Sequence, residues 1–133
     1  MVVGYSPDFK RNANMGKENN QSFVNVSFGD LRRQLNCLCE RYGIQYIEQE
    51  ESYTSKASFL DNDCIPVFKD GESYDGKFSG QRIHRGLYKS KDKTIINADL
   101  NGAANILRKS KQNFNKEGLN RGLLASPLRI RVA

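Results

Sequence analysis

Residues 27–49 constrain the fold of this chain more than any other segment. Ser27 is a helix N-cap type, and Asp30, three residues on, supplies an acid for the open N–H groups of a first turn. Phe28, Leu31, Leu35, Leu38 and Tyr42 recur at helical spacing, which predicts one apolar face turned to a core. Gly43 ends the run where a left-handed residue is needed, because it has no Cβ to clash. Ile44 to about Gln49 then reads as a strand, and MVVGY at residues 1–5 reads as another. Strand, helix and strand in that order predict an α/β fold with both strands in one sheet.

The remainder is less regular. Residues 6–26 are rich in Asn, Lys and Gly and read as a long loop. Residues 57–93 read as a loop-like insert with hairpin pieces, punctuated by Gly71, Gly76, Gly80 and Gly86. KTIIN at 93–97 reads as a short strand. Asp99 to Lys109 reads as a second helix, with Leu100, Ala103, Ala104, Ile106 and Leu107 for packing. Beyond Lys111 the tail is Asn-, Lys- and Gly-rich, and only Leu128, Ile130 and Val132 alternate like an edge strand. The 133 residues suit one domain, over about 1–110, with a tail over 111–133.

Charge narrows the function. The net charge of +6 favours a polyanionic partner without establishing one. The positive charge concentrates at Lys77, Arg82, Arg85, Lys89, Lys91 and Lys93, opposed only by Asp92, with His84 among them. Phe78, Gly80, Gly86 and Tyr88 interleave with these cations, which suits a phosphate-contacting surface as well as a solvated loop. Phe78 and Tyr88 suit either base stacking or, more commonly in a small domain, a core. Cys37, Cys39 and Cys64 are odd in number and match no CxxC knuckle, so free thiols in a reducing compartment are expected. No apolar run is long enough to span a bilayer and no secretory leader is recognisable, so a cytoplasmic protein is expected.

Two strings carry more information: EESYTSKAS at residues 50–58 and NADLNGAANI at residues 97–106. In this order, separated by a basic insert, they resemble the end of the nuclease domain in TnpB (OrfB-type) insertion-sequence transposases. These are RNA-guided relatives of the type V CRISPR effectors. Residues 78–106 resemble one branch of that family in particular, and the resemblance is weakest after residue 110. It implies a partial RNase H-like (RuvC-like) mixed sheet with flanking helices. It also implies the C-terminal part of a transposon-encoded, metal-dependent DNA endonuclease, with Mg or Mn as cofactor and DNA and a guide RNA as partners. Such a site needs Asp and Glu side chains converging from different elements, because paired metal ions about 4 Å apart clamp the attacking and leaving oxygens.

Residue by residue, the resemblance makes Asp99 the last catalytic acid and a metal ligand; a helix-capping role is the plain alternative. The family's second acid normally lies on a strand that here reads Val2-Val3-Gly4-Tyr5, with no acid. Glu50 and Glu51, directly before Tyr53-Thr54-Ser55-Lys56, resemble the branch in which that acid has moved to the adjacent strand. Strand alternation puts one of the pair on the catalytic face, with Glu51 favoured as metal ligand and a solvated strand end as the alternative. The first acid is expected upstream of Met1, so the isolated chain is expected not to cut.

Most relatives carry a zinc ribbon in the insert, but here Ser58 and Asp61 stand at the first cysteine pair and Cys64 is the insert's only cysteine. With His84 that cannot complete four ligands, so no zinc is expected. Packing of Phe59, Leu60, Ile65, Val67 and Phe68 would hold the insert instead. Lys56, Arg82, Arg85 and Lys89 are expected on the nucleic-acid backbone, with Lys56 nearer the metal site. An uncovered sheet edge would favour self-association. The rival readings are a non-catalytic nucleic-acid-binding module and a small structural domain whose charge serves solubility.

Overall fold

Two short strands, β1 (Val2–Tyr5) and β2 (Ile47–Glu50), pair in parallel, Val2 opposite Ile47 and Tyr5 opposite Glu50. A parallel pair needs a crossover, and helix α1 (Phe28–Arg41) lies within it. The computed structural model describes residues 1–6, 27–67 and 74–111. These belong to two compact units, Met1–Glu50 and Glu51–Ala133. The expected loop over 6–26 and the edge strand near Leu128 lie largely or wholly outside the described residues.

In the first unit, the helix signals act as the sequence predicts. Ser27 Oγ accepts from the Asp30 N–H at 3.4 Å and donates to the Asp30 carboxylate. Gly43 follows the Tyr42 cap with φ +65°. The buried face is the predicted one only in part: Phe28 and Leu35 turn inward. Leu31 and Leu38 are each 47% exposed and Tyr42 71%, whereas Cys39 is 2% exposed. The inward stripe runs through Phe28, Arg32, Leu35 and Cys39. The physical reason lies in Arg32: its guanidinium meets Glu48 at 2.9 Å and sits 5.3 Å from the centre of the Tyr5 ring. The cation–π contact and the ion pair thus place Arg32 on the inward face with Leu35, while Leu31 and Leu38 stay exposed. Cys39 packs its sulfur 3.8 Å from that of Met1.

The second unit carries strands β3 (Gln81–His84), β4 (Leu87–Lys89) and β5 (Ile95–Asn97) as an antiparallel meander, with helix α2 (Ala98–Lys109) following β5 directly. The parallel and antiparallel pairings thus lie in separate sheets among the described residues. Tyr88 and Ile96 stand opposite each other in the register and are both buried, with Ala98 beside them and Leu60 and Leu100 at the margin.

Much of the remaining interior is polar. Asn101 and Asn105, one turn apart on α2, are fully buried and grip the backbone of residues 54–59. Asn101 accepts from the Phe59 N–H at 3.0 Å and donates to the Ala57 carbonyl at 2.8 Å. Asn105 donates to the carbonyls of Thr54 at 2.9 Å and Ala57 at 2.7 Å. In the last turn, Arg108 donates to the Asp63 carbonyl at 2.6 Å, and Lys109 Nζ donates to those of Ser52 and Pro66. A loop carries backbone donors and acceptors that must be satisfied when buried, and α2 supplies the partners. The two strings that carry the family resemblance are therefore one structural unit.

Candidate functional site

Among the described residues, a groove of about 320 Å³ beside β4 gathers three lysines. Phe78, Ser79, Gly80 and Gln81 form one wall, and Lys89, Ser90, Lys91 and Lys93 the other. The sequence Ser-Lys-Asp-Lys-Thr at 90–94 builds the lysine wall. Ser90 is buried, its hydroxyl donates to the Asp92 carboxylate, and Asp92 Oδ1 accepts the Thr94 N–H at 3.0 Å. Lys93 takes a positive φ of 68° to close the turn, and its N–H reaches the Ser90 carbonyl at 3.0 Å. Local side-chain bonds of this sort define tight turns. The result sets Lys91 and Lys93 beside Lys89 in a concave, cation-rich surface.

Of the cations expected to meet nucleic acid, Lys89 lines this groove. Arg82 does not. The register sets Arg82 opposite Tyr88 and Gln81 opposite Lys89, so alternation assigns Arg82 to the other side of the hairpin. Arg85 lies exposed in the β3–β4 turn, and Lys56 is exposed in the turn that follows Tyr53. Lys91 and Lys93 were legible only as members of the basic run over 77–93, because the turn that sets them beside Lys89 lies beyond the end of β4.

Tyr88 belongs to the core and not to a stacking surface. It is fully buried, and its hydroxyl donates to the Lys56 carbonyl at 2.8 Å. Burial pushes that hydroxyl up to about 12, with Asp63 and Asp61 adding to the effect, so it stays a donor. A different aromatic group stands outside the core. The rings of Tyr53 and Phe78 each lie 5.4 Å from that of Tyr74, centre to centre.

At the insert's base, the residues standing at the zinc-ribbon positions bond to each other. Ser58 Oγ donates to Asp61 Oδ2 at 2.6 Å, and the same oxygen accepts the Lys91 N–H at 2.9 Å. Asp63 Oδ2 accepts the N–H groups of Ser58 at 2.8 Å and Ser79 at 3.0 Å, and Oδ1 accepts the Ser79 hydroxyl at 2.5 Å. Burial pushes the Asp63 carboxyl up. The Ser79 and Ser58 hydrogen bonds and the Arg108 guanidinium outweigh it and hold the group below its ordinary value. These contacts tie residues 58–63 to residues 79 and 91, the two sides of the groove. Of the apolar residues expected to hold the insert, Phe59 is buried and Leu60 packs on the core, but Val67 is 70% exposed, and Phe68 lies outside the described residues. The hydrogen-bonded carboxylates carry that task in its place. Cys64 is exposed.

The carboxylates expected to hold metal sit at element ends. Asp99 is exposed in the first turn of α2. Asn97, not Asp99, is the cap: its Oδ1 accepts the N–H groups of Asp99 at 2.9 Å and Leu100 at 3.0 Å. Glu50 ends β2, and the Glu51 carbonyl accepts the Thr54 N–H and hydroxyl at the start of the next turn. Among the described residues, no group of three or more His, Cys, Asp or Glu gathers to hold a metal ion. No helix among them is long and apolar enough to cross a membrane.

Residues 28–106 match the family model described as Cas12f1-like, TNB domain. That family is linked to TnpB and the type V effectors and is nucleic-acid-binding. Comparison with curated proteins and with solved structures gave no match.

Proposed function

This chain belongs to the Cas12f1-like TNB-domain family, and we propose from that premise that it grips the phosphate backbone of nucleic acid in the groove lined by Lys89, Lys91 and Lys93. The observation that carries this is the groove itself, lined by Lys89 at the end of β4 and by Lys91 and Lys93 of the hydrogen-bonded turn that follows. Phosphate contacts of this sort position a strand without reading its sequence. The test is fluorescence anisotropy with a labelled oligonucleotide across a salt series. Replacing the three lysines with alanine should flatten the log–log salt slope by about 2, at about 0.7 per phosphate contact on a single strand. An unchanged slope and affinity would remove the groove from the interface.

A second reading extends the first: the chain forms the C-terminal part of an RNase H-like (RuvC-like), RNA-guided DNA endonuclease, with Asp99 and Glu51 (or Glu50) as ligands for Mg or Mn. It is supported by the position of Asp99, exposed in the first turn of α2, where Asn97 and not Asp99 makes the capping hydrogen bonds. A divalent ion there would act as a Lewis acid on a phosphoryl oxygen. These residues need at least one further carboxylate beside them, so the chain on its own is proposed to bind and not to cut. Calorimetric titration of Mn²⁺ into wild type and Asp99→Asn tests this, and identical heats would count against it.

Zinc has no place in the proposed insert. The side chains at the ribbon positions, Ser58 and Asp61, are engaged with each other and with the Lys91 N–H. Self-association through β1, which pairs only with β2 among the described residues, belongs to the same proposal and is read by sedimentation.

A further inference from the structure

The aromatic group at the end of the lysine groove is built with unusual local expense. The rings of Tyr53, Tyr74 and Phe78 form a triangle with centre-to-centre distances of 5.4, 5.4 and 6.5 Å, tilted at 58°, 38° and 36°. None of the three belongs to the buried cluster of Tyr88, Ile96 and Ala98. Tyr53 and Phe78 are half-buried and Tyr74 is 38% exposed. Two backbone features accompany this arrangement. Tyr53 adopts φ +65°, a left-handed conformation that side chains rarely take, and its carbonyl is held by the N–H groups of Lys56 at 3.0 Å and Ala57 at 2.9 Å. Gly76 lies under the Tyr74 ring so closely that an added Cβ would stand 2.1 Å from its Cζ. Only glycine there leaves the ring where it is.

Phe78 belongs to both features: it is one corner of the triangle and one wall of the groove opposite Lys89 and Lys91. A phosphate track that ends on tilted, partly exposed rings has the two parts of a single-strand site, a cationic groove and a stacking surface. A paired base presents only its edges, so a ring surface of this sort is useful to an unpaired base. We propose that Tyr53, Tyr74 and Phe78 form a stacking site for an unpaired nucleobase of a strand whose phosphates lie in the lysine groove. This rests on the phosphate-gripping reading and adds to it a preference for bases exposed from a duplex.

The test uses the full chain and two fluorescein-labelled probes of equal length, an oligothymidylate and an abasic strand with the same phosphates. Wild type binds the oligothymidylate more tightly. Tyr53→Leu and Tyr74→Leu, neither of which lines the groove, each weaken that binding by about 5- to 140-fold, the range for loss of one base–aromatic stack, and leave the abasic strand unchanged. The chain has no tryptophan, so Phe78→Trp adds a single reporter. Its fluorescence is quenched by oligothymidylate and not by the abasic strand, whatever the leucine variants do to folding. Equal affinity of wild type for both strands, or leucine variants that weaken both alike, overturns the stacking site while leaving the phosphate grip standing. Binding of either strand that is indifferent to Lys89→Ala, Lys91→Ala and Lys93→Ala together overturns the phosphate grip. Failure of both strands to bind overturns both.

Discussion

Asp63 is the side chain on which the shape of the insert most depends, and its removal gives a calculable result. Its carboxylate accepts the Ser58 N–H, the Ser79 N–H and the Ser79 hydroxyl. In Asp63→Ala the Ser58 donor loses its acceptor inside a fully buried residue, which costs about 1–3 kcal/mol. Ser79 is exposed, so water replaces its two bonds and their loss adds about 1 kcal/mol in all. The sum, about 2–4 kcal/mol, is a large part of the 5–15 kcal/mol that holds a domain folded. Asp63→Asn is milder. Its amide oxygen can keep both N–H bonds while its NH₂ faces the Ser79 oxygen, so the loss of charge costs about 1 kcal/mol.

The pH dependence has a fixed sign. The folded Asp63 carboxyl lies below its ordinary value of 3.8. Its contribution is therefore complete above that value and is lost as pH falls through the lower, folded one. Urea unfolding followed by far-ultraviolet circular dichroism would read both effects. The Asp63→Ala midpoint should fall by about 1–2 M, and the gap between wild type and Asp63→Asn should begin to narrow below about pH 4 and close only as pH passes the lower, folded value. A chelator should move neither curve, because the contacts are carboxylate to N–H and hydroxyl. An unchanged Asp63→Ala midpoint, or a wild-type midpoint that falls with chelator, would refute this account of the insert.

Asn101→Ala should lower the melting temperature by roughly 10 °C or more, since the Phe59 N–H and the Ala57 carbonyl lose a buried partner; a shift of a degree or two would mean water enters the clasp. Asn97→Ala should cost about 1 kcal/mol and Asp99→Ala much less, because the cap is Asn97; thermal melts of the pair decide it, and the reverse order would return Asp99 to a capping role. Arg82→Ala should reduce oligonucleotide affinity less than Lys89→Ala, given their opposite placement in the hairpin register; equal losses by anisotropy would show that both faces are used.

The elements were legible because their signals are local. Ser27, Gly43 and the leucine spacing marked α1, and the β-branched pair Ile95-Ile96 before Asn97 marked β5 and the start of α2. The inward face of α1 was legible only in part, since the contacts of Arg32 with Tyr5 and Glu48 bring together residues far apart in sequence. The same holds for the interior of the second unit. Asn101 and Asn105 look like surface residues by composition, and only the loop they grip shows that a buried amide can satisfy a buried backbone.

The candidate site divides along the same line. Lys89, Lys91 and Lys93 were readable as part of the basic run over 77–93, but charge density carries no facing information and could not separate them from Arg82. Only strand register does, and it separates residues one apart onto opposite sides. The aromatic triangle was invisible for a further reason: Tyr53 lies more than twenty positions from Phe78 and is turned by a left-handed backbone that tyrosine does not advertise. Asn101 and Asn105 fix residues 54–59, Ser58 begins the carboxylate network, and that network ends at Ser79, beside Phe78 in the groove wall. A substitution deep in the helix is therefore linked to the wall of the groove through hydrogen bonds joined by the backbone of residues 57–59. Loss of Asn101 should weaken nucleic-acid binding as well as folding, whereas loss of a groove lysine should weaken binding alone.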